Sequence, residues 1–508
     1  MNRIKEQCDR INQNKYYKRI IKMAWYILCT FFFAKMILNL GYVSESAYQV
    51  IRDYYFGIAV IYMLLAIVLL QKVKISNILI YIFGIIYCII AVNWLKDHEM
   101  SWGAELQNFF KVRWIYYGII GVLVIDMLRY KKIASFKERN MVGSIMYLII
   151  ALIVYFMTKG RLFTHVLIVP FMFLFLMRVK KEAWQKWIFC LTSGYYLAFM
   201  YTMICSFVSV PYTGDRYYGI YVNHGLFGMY IGGAFVCSLW WLILAIREKK
   251  SIWIKIFVIA TMIFSLLCLG MNGARVAELA VVVTAIIAYC LYGGKQEKKQ
   301  IFFRIASVSL ICVIGILALI IAIKILGSYD KESFALLIEN DMLRAKLEYF
   351  RDRAYRTLEA ESSYGLTEPG SFLNVLDRFS SDRISYYIMY LRGVTWKGND
   401  NFLIPMGEIV FDHPHNTFIY WLYGLGILPG ILLIIWILYY VVYAFVQNIK
   451  KNSVYMLPLF WVVYYIMISM NEDVFWIYIA GVVLLILQYP VLVKFQEDKF
   501  ENHKKKDA

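Results

Sequence analysis

The sequence predicts an all-α membrane protein, a polytopic bundle of about fourteen transmembrane helices with a helical extracytoplasmic loop domain. Three observations carry that prediction. Of 508 residues, 61% are hydrophobic and only 17% charged, with a mean hydropathy of +0.60, a composition foreign to soluble globular chains. Apolar runs of roughly 18 to 25 residues recur along almost the whole chain, the length that crosses about 30 Å of hydrocarbon as a helix. Lys and Arg gather in alternate short loops between those runs.

Taken in order, the expected spans are 22–40, 54–71, 76–94, 110–128, 141–157, 162–178, 185–207, 224–246, 252–270, 275–292, 303–327, 417–447, 453–470 and 474–493. Basic loops fall around Lys72 and Lys74, Arg129 to Arg139, Arg178 to Lys186, Arg247 to Lys250, Lys295 to Lys299 and Lys450 to Lys451. All lie on the side of the N-terminus, as does the tail with Lys504, Lys505 and Lys506, so both termini are expected in the cytoplasm. The first twenty residues carry Arg3, Lys5, Arg10, Lys15, Lys18 and Arg19 and lead into an apolar run without a small-residue cleavage site, the pattern of an uncleaved anchor. The chain then divides into a tail (1–21), a bundle of about eleven helices (22–327), a large outer loop (328–415), about three further helices (416–494) and a tail (495–508). Within the large loop, Phe334, Leu337, Leu343 and Leu347, and later Ile384, Tyr387, Ile388 and Leu391, recur at helical spacing.

Several classes are disfavoured. The alternating hydrophobicity of an outer-membrane barrel is missing, and a stretch such as Leu310 to Ile323 is apolar on every face. The net charge of +19 resides in short loops and chain ends, so it reads as topology and points to no nucleic-acid partner. None of the nine cysteines falls in the large loop, which gives neither a disulfide framework nor a CxxC metal site.

Polar residues collect instead at the expected outer face, in four stretches. Gly214-Asp215-Arg216-Tyr217-Tyr218-Gly219-Ile220-Tyr221-Val222-Asn223-His224 leads into the eighth span, where Asn223 and His224 also suit a helix cap. Gly270-Met271-Asn272-Gly273-Ala274-Arg275 is a tight turn with Arg275 opening the tenth span and Glu278 placed to pair with it locally. Asp377-Arg378-Phe379-Ser380-Ser381-Asp382-Arg383-Ile384-Ser385-Tyr386-Tyr387 runs into an amphipathic helix ending at Arg392-Gly393. His413-Pro414-His415-Asn416-Thr417, followed by a span containing Gly424-Leu425-Gly426, returns the loop to the membrane. In it Asn416 is expected to cap the following helix.

These four stretches, in this order, resemble the O-antigen ligase and O-antigen polymerase superfamily of bacterial surface-polysaccharide assembly. The resemblance runs from about Gly214 to the C-terminus and is most specific at His413-Pro414-His415-Asn416 together with the long loop. Two positions depart from the pattern: Ala274 stands before Arg275 where Ser is usual, and Glu278 follows where a small or apolar residue is usual. The resemblance implies a donor glycan on undecaprenyl pyrophosphate, transferred with inversion at the outer face of the cell membrane. Membrane lipids surround such an enzyme, and a flippase and a chain-length regulator are its implied partners.

Such a reaction sets two tasks. A multiply charged leaving group must be held, which suits arginine, whose planar fork bonds phosphate bidentately and stays charged at a membrane boundary. Arg216, Arg275 and Arg383 are the expected pyrophosphate ligands, with Arg378 secondary. A proton must be accepted, which suits a histidine with an ordinary pKa near 6.5, and His415 is the first candidate, His413 the second. Asn223, His224 and Asn416 are secondary site residues. No DxD motif appears in the outer loops, Glu472-Asp473 reads as a solvated acidic pair, and no metal or cofactor is expected. The leading expectation is a repeat-unit polymerase. A ligase moving finished glycan to a terminal acceptor is its rival within the class, and a lipid-linked oligosaccharide flippase its rival outside it. The Lys, Ile, Tyr and Asn usage of an AT-rich genome favours the polymerase, and near charge-free mid-spans with a large outer loop disfavour the flippase.

Overall fold

The computed structural model describes residues 14–39, 139–157, 181–210, 216–221, 223–291, 383–399, 401, 403–406, 409–411, 414–449, 453–472 and 479–494, with Glu6, Phe303, Ser307 and Asp377 as isolated positions. Of the described residues, 84% are helical. The elements, numbered over those residues, are α1 (Lys15–Asn39), α2 (Met141–Met157), α3 (Lys181–Ser209), α4 (His224–Arg247), α5 (Ile252–Asn272), α6 (Arg275–Leu291) and α7 (Arg383–Arg392). A hairpin of β1 (Ile404–Met406) and β2 (Ile409–Phe411) follows, then α8 (Thr417–Tyr420), α9 (Ile427–Ile449), α10 (Met456–Ser469), α11 (Ile479–Leu487) and α12 (Tyr489–Leu492). The expected spans at 54–71, 76–94, 110–128 and 162–178, and all of 303–327 but two residues, lie outside the described residues, as do His413 and Arg378.

Four helices among the described residues are long and apolar enough to cross a membrane: Trp184–Ser209 within α3, then α4, α5 and α9. Their surfaces carry large apolar side chains that water would penalise, among them Leu267 on α5 and Leu438 and Val442 on α9. These features are those of a membrane protein. Backbone pairing explains why helices are the element used, since inside hydrocarbon only a helix satisfies its own N–H and C=O groups segment by segment.

The chain divides into two units. The first comprises 1–284, 435–468 and 474–508. Over the most apolar 18 residues of each helix, 72% of α4 is buried, against 28% of α5. Tyrosines from neighbouring helices spend their hydroxyls on α4 carbonyls, Tyr195 on Tyr230 O at 3.0 Å and Tyr464 on Met229 O at 2.6 Å. That lets a polar tip be buried without an unpaired donor. The start of α2 is tied to α12, the last helix among the described residues: Asn140 Nδ2 donates to Val491 O at 2.9 Å and Ser144 Oγ to Leu492 O at 2.8 Å. Tyr147 stands edge-on to Trp436, whose Nε1 donates to Gln488 at 3.0 Å.

The second unit comprises 285–434 and 469–473. It corrects the sequence expectation in three places. Residues 328–415 were expected to be helical, yet β1 and β2 pair antiparallel with Ile404 opposite Phe411 and Met406 opposite Ile409, because β-branched and aromatic residues here flank a two-residue Gly407-Glu408 connection. The span expected at 417–447 is not one helix. It begins as α8, widens into a π turn at Trp421–Leu425 and restarts as α9 beyond Gly426. Gly426 sits at φ +104, a backbone state that side chains rarely adopt. Finally, α7 ends at Arg392 as expected, but Leu391 is exposed and Tyr390 is buried, set edge-on against Tyr423 at 4.9 Å. The large aromatic contact, not the regular aliphatic spacing, selects the buried face.

Candidate functional site

The sequence-predicted residues fall into two loci, one in each unit. In the first unit the stretch 216–221 crosses the turn between α5 and α6. Gly273 closes α5 in a left-handed conformation, φ +64, with its N–H on Leu269 O at 2.9 Å, and Arg275 opens α6 two residues later. Asn272, fully buried, uses its Nδ2 to hold two carbonyls, Tyr217 O at 2.7 Å and His224 O at 3.0 Å. Its Oδ1 makes no hydrogen bond within the protein. Tyr217 N returns a bond to Met271 O at 3.0 Å, so the turn and the segment before α4 are laced together. Asn223 caps α4, its side chain accepting from Gly225 N at 2.6 Å.

Arg216 is exposed, and its Nη1 lies 2.8 Å from His224 Nε2. A guanidinium only donates, so His224 accepts through a bare Nε2 and is neutral in this arrangement. The histidine therefore orients the arginine rather than competing with it for an anion. Arg275 lies within electrostatic reach of Glu278, as its spacing along one helix face leads one to expect.

The second locus is built around α7 and the segment 414–420. Asp377, fully buried, accepts from Ser385 N at 2.8 Å and from Ser385 Oγ, which anchors the first turn of α7 and with it Arg383. One helical turn on, the Tyr386 ring stands edge-on to His415 at 5.5 Å. His415 follows Pro414 and takes φ +49. That left-handed state costs a side-chain-bearing residue about 1–2 kcal/mol; Lys249, in the turn after α4, shares it at φ +50.

Asn416 caps α8 through Oδ1, which accepts from Phe418 N at 3.0 Å and Ile419 N at 3.1 Å. Its Nδ2 reaches Met470 O at 2.9 Å. Thr417 Oγ1 donates to Glu472 O at 3.0 Å, and Tyr387 Oη to Met470 O at 2.5 Å. Three side chains thus clamp the turn 470–472 and deliver the Glu472 carboxylate to 4.0 Å from Arg383 Nη2.

Glu472 was expected to be solvated. It is instead only 25% exposed, and burial pushes its carboxyl above the ordinary value of 4.5, with the Arg383 charge opposing that rise. Sequence reasoning missed it because the partner lies 89 positions away, and missed Asp377 because a capping carboxylate eight residues before its donor has no local signature. The sign of the pH dependence follows. A carboxyl raised on folding adds stability while protonated, below its ordinary value of 4.5, and loses it as pH climbs through the raised value. Thermal melts across pH 4 to 7 are expected to fall less steeply for Glu472→Gln than for the unmodified protein. Identical slopes would show that Glu472 ionises as freely folded as unfolded.

Arg383 is 19% exposed, and its Nη1 is buried without a hydrogen-bond partner in the protein. A guanidinium with one nitrogen near a carboxylate and the other unspent is suited to an incoming anion. Arg383 and His415 are brought to one place by two ties: Tyr386 against the histidine, and Glu472 held by Thr417 two residues after it. No protein-family model matches the sequence, and no curated protein matches it. Among the described residues, no group of three or more His, Cys, Asp or Glu side chains is placed to hold a metal ion.

Proposed function

We propose that the protein is a membrane glycosyltransferase that polymerises polyprenyl-pyrophosphate-linked oligosaccharide repeat units into a capsular or O-antigen-like polysaccharide at the outer face of the cell membrane. In this reading about fourteen spans carry the chain across the membrane, both termini are cytoplasmic, and the segment 328–415 lies outside. The observation that carries it is the second locus, where Arg383, with an unspent donor, begins the helix whose Tyr386 packs edge-on to His415, a histidine on a left-handed backbone. Support also comes from the resemblance of the four polar stretches to the ligase and polymerase superfamily.

The chemistry follows from the side chains. An acceptor hydroxyl attacks the anomeric carbon from the face opposite the pyrophosphate, the bond from that carbon to the phosphate oxygen breaks, and the hydroxyl proton passes to His415. Arg383 takes the charge that develops on the leaving phosphate, the type of interaction that grows in the transition state. Arg216, oriented by His224, and Arg275 bind phosphate at the first locus. Glu472 faces Nη2 of Arg383 and leaves Nη1 without a bond in the protein.

Surface polysaccharide from cells deleted for the gene, compared with complemented cells by electrophoresis, tests the reading. Single repeat units on the surface or on outer-facing lipid carrier are expected in the deletion. Full-length polymer lacking only its terminal attachment would point to the ligase, and repeat units held at the cytoplasmic side to a flippase. Because guanidinium groups neutralise the pyrophosphate, transfer is expected to persist undiminished in excess chelator. Loss of transfer restored by magnesium or manganese contradicts the assignment of that charge to arginine.

A further inference from the structure

We propose that the groove between α3, α4 and α5 in the first unit is a binding site for an anionic glycerophospholipid. The groove encloses about 680 Å³, within the range of sites that take an organic ligand. Its walls are apolar and aromatic, formed chiefly by Ile188, Phe189, Trp240, Trp241, Leu244 and Phe257. Trp241 spends its only donor on Thr192 Oγ1 at 2.8 Å and packs edge-on to Phe189 at 5.1 Å, so this side chain offers ring and not N–H to whatever lies in the groove, which Gln185, Ser193 and Tyr196 also line. Hydrocarbon is the occupant such walls stabilise.

One end of the groove is polar. Glu248 and Lys250 line it, in the turn that joins α4 to α5. This turn and its flanks carry Arg247, Lys249 and Lys250, all exposed, against the single acid Glu248. Lys250 pairs with Glu248 at 3.0 Å, an exposed contact that holds weakly and leaves the charge of Arg247 and Lys249 unopposed. Trp253, 75% exposed three residues beyond Lys250, lies in the first turn of the apolar helix α5, and indole rings at such span ends favour lipid head groups. A hydrocarbon groove that opens on a net positive mouth beside an interfacial tryptophan complements an acyl chain attached to an anionic head group. The basic character of this turn is also what assigns it to the cytoplasmic side in the sequence, the leaflet face where anionic lipids draw polybasic segments.

Native mass spectrometry of the full-length protein in mild detergent, titrated separately with phosphatidylglycerol and phosphatidylcholine, tests the proposal. Phosphatidylglycerol is expected to bind about tenfold more tightly or better. Lys249→Gln with Lys250→Gln, both exposed and at the opposite end of α4 from the first locus, is expected to bring that affinity down to the phosphatidylcholine level. Leu244→Trp, which fills the groove, is expected to weaken both lipids. Equal binding of the two lipids, undiminished phosphatidylglycerol binding by the double lysine variant, or preference for a polyprenyl phosphate over phosphatidylglycerol would overturn it.

Discussion

Replacing Arg383 by alanine is expected to stop chain lengthening while leaving the protein folded in the membrane. The arginine contributes little to stability, because its one carboxylate contact is long, 4.0 Å, and Nη1 has no partner in the protein. Once the guanidinium is gone, Glu472 loses the charge that opposes the upward push of burial on its carboxyl, which eases the burial of that side chain in its neutral form. The loss falls instead on the reaction. Removing one preorganised donor to developing charge lowers a rate by about 10²- to 10³-fold. Arg383→Lys is expected to recover little, because an ammonium lacks the fork that engages two phosphate oxygens while a second nitrogen faces Glu472. Rates of polymer formation, measured beside the amount and melting temperature of membrane-inserted protein, separate the two effects. Polymer at the unmodified rate from Arg383→Ala would remove the arginine from the site.

The second large effect is expected at His415, where activity and stability should move in opposite directions. His415→Ala keeps a Cβ on a backbone at φ +49, and His415→Gly removes it. Glycine there is expected to be more stable than alanine by about 1 kcal/mol, since only glycine occupies the left-handed region without steric cost. Both substitutions remove the proton acceptor and are expected to lower transfer by about 10²- to 10⁴-fold, the usual worth of a general base. A stable but inactive glycine variant marks a residue whose strain is retained for function. An active glycine variant would mean that His415 serves only the turn between Pro414 and Asn416.

The long apolar runs were the most legible part of the sequence. The runs expected at 141–157, 224–246, 252–270 and 275–292 lie in α2, α4, α5 and α6, with ends within about two residues, because each run is bounded by charges, a glycine or a capping residue. The caps were legible too: Asn416 and Asn223 accept from the first N–H groups of α8 and α4, a relation confined to four consecutive residues. What could not be read were relations set by distant partners. Leu425 and Gly426 continue an apolar run, and only the packing of 393–399 against it, with Ile427 N bonded to Thr395 O at 3.1 Å, reveals why the helix breaks there. Glu472 looks like half of a solvated acidic pair until Thr417 and Asn416 are seen to fold its turn back toward Arg383. The orientation of Arg216 by His224 was equally hidden, since spacing alone suits both residues to capping or to anion binding.

The central claim is tested most directly by reconstituting the purified full-length protein in proteoliposomes with a single lipid-linked repeat unit and no other protein. Lipid-linked products that grow in steps of one repeat unit, with release of polyprenyl pyrophosphate and with none formed by His415→Gly, are the predicted result. A donor that crosses the bilayer unaltered, with no new glycosidic bond, would contradict the account and make the protein a transporter.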